Sequence, residues 1–352
     1  MLLDGLHIPL TTPFHPDGRL NALKLSANVV RYSRTPAAGL IVLGPSGEPT
    51  LLSDDETREA LRAAAQAAAP EKVLLAGISR DSVHATLALA GHAASLHYDA
   101  VLVAAPSILL TPRECLTYFQ TVADCSPLPL VLSDPVLSDI VLNDPVLSDT
   151  ALDLAAGLAA HPNVLGLLTS ASAPAIADLR ARTAAVQRQV TVTPVFAAVT
   201  TRMQLAAAAR TATPLVSAAS LAGTVVAEPP PIAPPLRTRT RTVGFQILCA
   251  NSPGMLDALN SGAVGIAPAL AAAAPQACFE VFAAWKDSDH PLAEEKQARL
   301  REATAFAEDG PGTLKYACDL NGYYGGPSRL PHLPPTGQQR AALEQLMKEV
   351  RS

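Results

Sequence analysis

Gly39-Leu40-Ile41-Val42-Leu43-Gly44-Pro45-Ser46-Gly47-Glu48 is the stretch whose reading decides the fold. Its apolar run stops at a Gly-Pro-Ser-Gly turn, and a segment of helical spacing, 53–69, follows. An apolar run without period-2 alternation is a strand covered on both faces, as in a parallel sheet. A strand, a tight loop carrying a hydroxyl (Ser46) between two glycines, and then a helix build a ligand-facing loop at the carboxyl end of that strand. Ser53 predicts the helix start, because its hydroxyl caps free amides and Asp54, Asp55 and Glu56 suit the positive end of the helix dipole. Such turns are common in unrelated proteins, so the stretch speaks for architecture before activity.

The same unit recurs outward in both directions. Apolar runs at 6–10, 73–77, 100–104, 128–132, 164–168, 243–249 and 263–267 read as further strands. Helical spacing covers 21–32, 81–96, 111–123, 150–160 and 252–260, with Pro112 suited to a first helical position. Repeated strand–helix units leave an open doubly wound sheet or a closed barrel, and a total of eight strands favours the barrel. The segments 275–286, 291–308 and 338–351 are helical by pattern. The predicted fold is α/β, a (β/α)8 TIM barrel over 1–285 with a C-terminal helical cap over 286–352.

Two stretches break the rhythm. Residues 131–150 read VLSDP-VLSDI-VLNDP-VLSDT, four copies of a five-residue unit after the fifth strand. Their recurring Asp and Pro oppose a continued strand or helix. The acidic side chains there (Asp134, Asp139, Asp144, Asp149 and nearby Asp153, with Glu114 more distant) lack the glycine that a calcium loop uses for its turn, so no metal site is expected. Residues 188–242 are rich in Ala, Thr and Pro and end in Arg237-Thr-Arg-Thr-Arg241, which reads as a poorly ordered, solvated excursion.

Bulk properties narrow the function classes. The 352 residues are 49% hydrophobic but only 4% aromatic, so the core must be built from Ala, Leu and Val. A net charge of -5 argues against nucleic acid or an anionic membrane as partner. No apolar run is long enough to span a bilayer, and the start of the chain has no basic, apolar signal pattern. Five scattered cysteines without metal-ligand spacing predict reduced, mostly buried thiols and a cytoplasmic location.

In this order the pieces resemble the dihydrodipicolinate synthase / N-acetylneuraminate lyase family of class I aldolases, which includes 4-hydroxy-2-oxoglutarate aldolase-like members. The matching residues are Pro9-Leu10-Thr11-Thr12-Pro13-Phe14 with Asp17-Gly18, then Gly44-Pro45-Ser46-Gly47-Glu48, similar to the family's GTTGE loop. Ala76-Gly77, the run from Tyr98 to Val103, His161-Pro162-Asn163 with Gly166, Gly262 to Gly265, Lys315 and Gly325-Gly326-Pro327 fit as well. The likeness spans 6–180 and 243–350. It implies a lyase that joins a 2-oxo acid, usually pyruvate, to a lysine at the end of the sixth strand as a Schiff base, with no cofactor.

The resemblance places that lysine at Leu168, which has no nucleophile. The tyrosine that relays protons falls at Ser133, and the first threonine of GTTGE is Pro45, which has neither hydroxyl nor N–H. The aromatic pair after the fourth strand is replaced around Ser107 and Ile108. The catalytic residues are therefore unknown, and Gly44, Ser46, Gly47, Ser133 and Ile266 are the substrate-binding candidates. Lys315 matches a family position on a C-terminal helix and reads as packing; His7 and His15 read as structural or exposed. Two readings stay open: a 2-oxo acid lyase by descent, or a non-catalytic binding or scaffolding barrel. The resemblance also implies a homo-oligomer, commonly a tetramer.

Overall fold

The computed structural model describes residues 1–106, 111–133, 145–211 and 236–350. Eight parallel strands close a barrel: β1 (Gly5–Pro9), β2 (Gly39–Val42), β3 (Val73–Gly77), β4 (Ala100–Ala104), β5 (Leu130–Ser133), β6 (Val164–Thr169), β9 (Gln246–Cys249) and β10 (Gly265–Ile266). β10 returns to pair with β1, Gly5 against Gly265. Side chains alternate across each strand. Ile41, Leu75, Leu102, Val131, Leu168 and Leu248 point into the barrel as one apolar cluster. Leu40, Leu74, Val101, Leu132 and Leu167 point outward, into the core shared with the helices. Burial on both faces is the physical reason that these strands read as unbroken apolar runs.

The helices between them are α1 (Ala22–Ser33), α2 (Asp54–Ala67), α3 (Val83–Ser95), α4 (Pro112–Cys125), α5 (Pro145–Leu158), α6 (Ala173–Arg182), α7 (Thr201–Thr211), α8 (Met255–Asn260) and α9 (Pro275–Lys286). Ser53 caps α2 as expected, in a reciprocal capping box with Glu56. Thr111 and Glu114 do the same for α4, with Pro112 at its first position. The C-terminal helices α10 (His290–Ala307), α11 (Pro311–Leu320) and α12 (Gly337–Leu346) pack Leu300, Leu314 and Leu343 into the same outer core. Residues 173–182 and 311–320 carry no helix in the sequence reading, and both are helical here.

Two expectations about the interruptions need correction. The last repeat copy, 146–150, continues a helix, because α5 begins at Pro145, where the missing N–H costs nothing. Copies over 134–144 lie outside the described residues. Asp153 pairs with the Arg182 guanidinium at 2.5 Å. The described ends of 188–242 are ordered structure: β7 (Arg188–Val192) pairs antiparallel with β8 (Arg239–Val243), so Val243 belongs to this hairpin and not to the barrel. The hairpin and α7 are fastened to loops that precede barrel strands. Arg188 donates to the Ala159 and His161 carbonyls (2.6 and 2.8 Å), and the Thr201 amide donates to Asp99 (2.8 Å). The described parts of this excursion therefore lie against the amino-terminal face of the barrel. Arg241 of the arginine run meets Asp4 at 3.7 Å.

His7 on β1 is fully buried and donates from Nε2 to the Leu3 carbonyl at 3.0 Å. Burial holds the imidazole at about 4, below its usual 6.5, so it stays neutral in the fold. The unfolded chain takes up a proton below about 6.5 that the folded chain refuses until about 4. Stability is thus complete above the upper value and falls as pH drops through this window, by on the order of 3 kcal/mol. Urea melts between pH 7 and pH 4 should show that loss, and a His7→Gln variant should show a shallower one; equal slopes would contradict this role.

Candidate functional site

A cavity of about 210 Å³ opens at the carboxyl ends of β2 to β5, on the face opposite the hairpin. Leu43, Gly44, Pro45, Gly77, Arg80, Leu102, Ala104, Pro106 and Ser133 are among the residues that line it. The loop after β2 forms one wall. It begins and ends on left-handed residues that are not glycine, Leu43 at φ 57° and Glu48 at φ 52°, with a single 3-10 turn over Pro45–Gly47 between them. Conformations of this kind persist only where surrounding contacts hold them. Thr12 supplies one such contact, its hydroxyl donating to the Gly47 carbonyl at 2.6 Å. Gly77 supplies another by having no side chain: a Cβ there would stand 1.9 Å from the Leu43 oxygen. The loop is thereby pressed against the end of β3, next to the cavity.

Glu48 and Lys315 form an ion pair behind this loop, with 1% exposure for each side chain. Burial pulls the Lys315 ammonium below its usual range, and the Glu48 carboxylate opposes that shift. Lys315 and Arg329 each stand 4.3 Å from the centre of the Phe14 ring. Arg329 also grips Glu56 at 2.5 Å and donates to the Leu51 carbonyl at 2.6 Å. The C-terminal segment is in this way locked onto the first two strand–helix loops, and Lys315 is absent from the cavity wall.

Leu168 sits on β6 beside Ser133 of β5 and Leu248 of β9. It is 2% exposed and belongs to the apolar layer that fills the barrel below the cavity. Ser133, the last residue of β5, is buried, lines the cavity, and its hydroxyl has no hydrogen-bond partner among the described residues. The structure therefore brings Gly44 and Ser133 together at one cavity. Ser46 and Gly47 lie on the adjacent turn without lining it. Ile266 is not at the site: it is fully buried on β10, in the core between barrel and helices. Positions 107 and 108 lie outside the described residues.

All six lysines of the chain are described, and none lines the cavity. Lys24 lies over the Tyr324 ring, Lys72 donates to the Thr35 and Ala37 carbonyls, and Lys286 pairs with Asp4. Lys296 pairs with Glu280, Lys348 donates to Gln345, and Lys315 is held by Glu48.

Among the described residues two charged ones line the cavity, Arg80 and Asp81, and Arg80 is the cation among them. Arg80, just past β3, donates from Nε to Asp54 at 2.9 Å, from Nη1 to the Ser79 carbonyl at 2.9 Å and from Nη2 to Thr57 at 2.7 Å. Its side chain is 17% exposed. Nothing local in Ser79-Arg80-Asp81 marks it; barrel closure puts it on the same cavity as Ser133. Among the described residues no cluster of three or more His, Cys, Asp or Glu could hold a metal ion.

Comparison with known proteins agrees with this architecture. The model of the dihydrodipicolinate synthetase family matches residues 2–171. Over 353 residues, 97% of this chain and 98% of the relative, the chain is 26% identical to the 4-hydroxy-tetrahydrodipicolinate synthase of Acidiphilium cryptum. The dihydrodipicolinate synthase structure from Bacillus anthracis superposes with a TM-score of 0.76 at 18% identity, covering 100% of both chains. A protein of the same family from E. coli, solved in complex with pyruvate, gives 0.70 at 19% identity, covering 99% of each chain. At such identities the two structural likenesses speak for the fold.

Proposed function

As this chain belongs to the dihydrodipicolinate synthetase family, we propose that it binds a small 2-oxo acid at the mouth of β2 to β5 but does not process it through a lysine imine. The observation that carries the reading is Leu168. A Schiff base needs an amine that loses its proton in a desolvated place and attacks a carbonyl. The family position holds a hydrocarbon sealed in an apolar layer, and every lysine is engaged elsewhere. Ser133 offers a hydroxyl where a phenol would relay protons, but it is shorter by a ring. Removing a covalent nucleophile removes most of the rate that depends on it. The binding half of the reading is supported by the loop after β2, which walls the cavity with Gly44 and Pro45, and by the buried Ser133 hydroxyl, which has no partner among the described residues. By descent the protein is a lyase, and by its residues a binding barrel.

Reduction with borohydride in the presence of pyruvate, followed by intact mass, tests it. The mass should remain that of the unmodified chain while a lysine-bearing family member run in parallel gains the adduct. A stoichiometric adduct would overturn the reading, and peptide mapping would name the lysine responsible. The same proposal places the chain in a reducing, cytoplasmic setting, supported by five cysteines without a disulfide. Among the described residues no helix is long and apolar enough to cross a membrane. It extends to a homo-oligomer on the family resemblance alone.

A further inference from the structure

Resting on that reading, we propose that the cavity takes a monocarboxylic 2-oxo acid with an apolar side chain, its carboxylate held by Arg80 and its carbonyl oxygen accepting a hydrogen bond from Ser133. Five observations converge on this ligand. Pro45 lines the cavity and has no N–H, so this part of the loop after β2 offers a ligand no backbone donor. Arg80 lines the same cavity and is fixed by three hydrogen bonds, which leave one N–H on each terminal nitrogen without a partner among the described residues. A guanidinium held in this manner is preorganised for a carboxylate. Ser133 is the second polar anchor, a buried hydroxyl with no partner among the described residues.

The remaining wall decides the side chain. Leu43, Pro45, Pro49, Leu102, Ala104 and Pro106 offer an apolar surface that the methyl of pyruvate would leave largely wet. A branched hydrocarbon would cover it, and each methylene seated in such a pocket is worth about tenfold or more in discrimination. Charge excludes a second carboxylate. Arg80 is the one cation among the described lining residues, Asp54 already neutralises part of it, and Asp81 next to it in the lining is exposed. A dicarboxylate would place its second charge near Asp81 with no partner.

Titration calorimetry on the full chain, with α-ketoisocaproate, pyruvate and α-ketoglutarate as separate probes, tests the assignment. α-Ketoisocaproate should bind at least about tenfold more tightly than either of the others. Arg80→Met should weaken it by about tenfold or more, and Ser133→Ala by roughly fivefold. Ala104→Leu, which fills the apolar wall, should weaken α-ketoisocaproate while leaving pyruvate within about twofold. Thermal melts check that each variant is folded; if Arg80→Met is not, the other two variants carry the test. Equal or tighter binding of pyruvate or α-ketoglutarate, or unchanged binding in the folded variants, overturns this ligand class and leaves the 2-oxo acid reading standing. No binding of any of the three probes to the folded parent overturns both.

Discussion

Replacing Leu168 by lysine is expected to destabilise the barrel strongly and, in the same protein, to create a 2-oxo acid trap. The new ammonium would lie among Ile41, Leu102, Val131 and Leu248 with no carboxylate in that layer. An unpaired buried charge costs about 3–5 kcal/mol, unless the group sheds its proton. Desolvation lowers a buried amine's pKa. The penalty is therefore present below that lowered value and relieved as pH rises toward the pKa of an unfolded lysine. Urea melts at neutral and alkaline pH should show this recovery, and Leu168→Met should cost less than about 1.5 kcal/mol. The neutral amine is also the nucleophile that an imine needs, and Ser133 and the cavity lie beside it. Borohydride with pyruvate should then add one adduct per chain, mapped to position 168, without turnover. A lysine variant as stable as the parent at neutral pH would mean that position 168 is not sealed from water.

The second large effect is expected at the clasp behind the loop. Lys315→Met removes the cation that faces Glu48 and strands a carboxylate with 1% exposure. Breaking one side of a buried pair costs about 3–5 kcal/mol, whereas replacing both sides by neutral groups of similar volume is often close to neutral. The Glu48→Gln/Lys315→Met double variant should thus recover most of the stability lost by Lys315→Met alone. Denaturant midpoints for the parent, both single variants and the double variant measure the coupling directly. Independent, additive losses would show that the pair is not the unit that holds the C-terminal segment on the barrel. Because Glu48 ends the loop that lines the cavity, the single variant should also weaken ligand binding, and the double variant should restore it.

Much of the barrel was legible because its signals are local. Strands buried on both faces are apolar at most positions, and eight such runs are visible from Leu6 to Ala267. Ser53, Thr111 and Pro112 mark helix starts through bonds made within a few residues. Loss of the imine chemistry was equally readable, since leucine lacks an amine in any environment. Features that failed to show were short or nonlocal. α6 and α11 have only ten residues each and escaped notice. The hairpin joins β7 to β8 across a long Ala/Thr/Pro stretch, and neither strand announces its partner.

The amino-acid sequence by itself determined the strand–helix rhythm, the closed barrel and the absence of a nucleophile at position 168, because burial pattern and side-chain chemistry are properties of each segment. Tertiary structure alone decided that Ile266 faces the outer core, that Lys315 is spent on Glu48, and that Arg80 shares a cavity with Ser133. Those facts depend on which loop ends the closed ring of strands brings together, a long-range condition that no local pattern encodes.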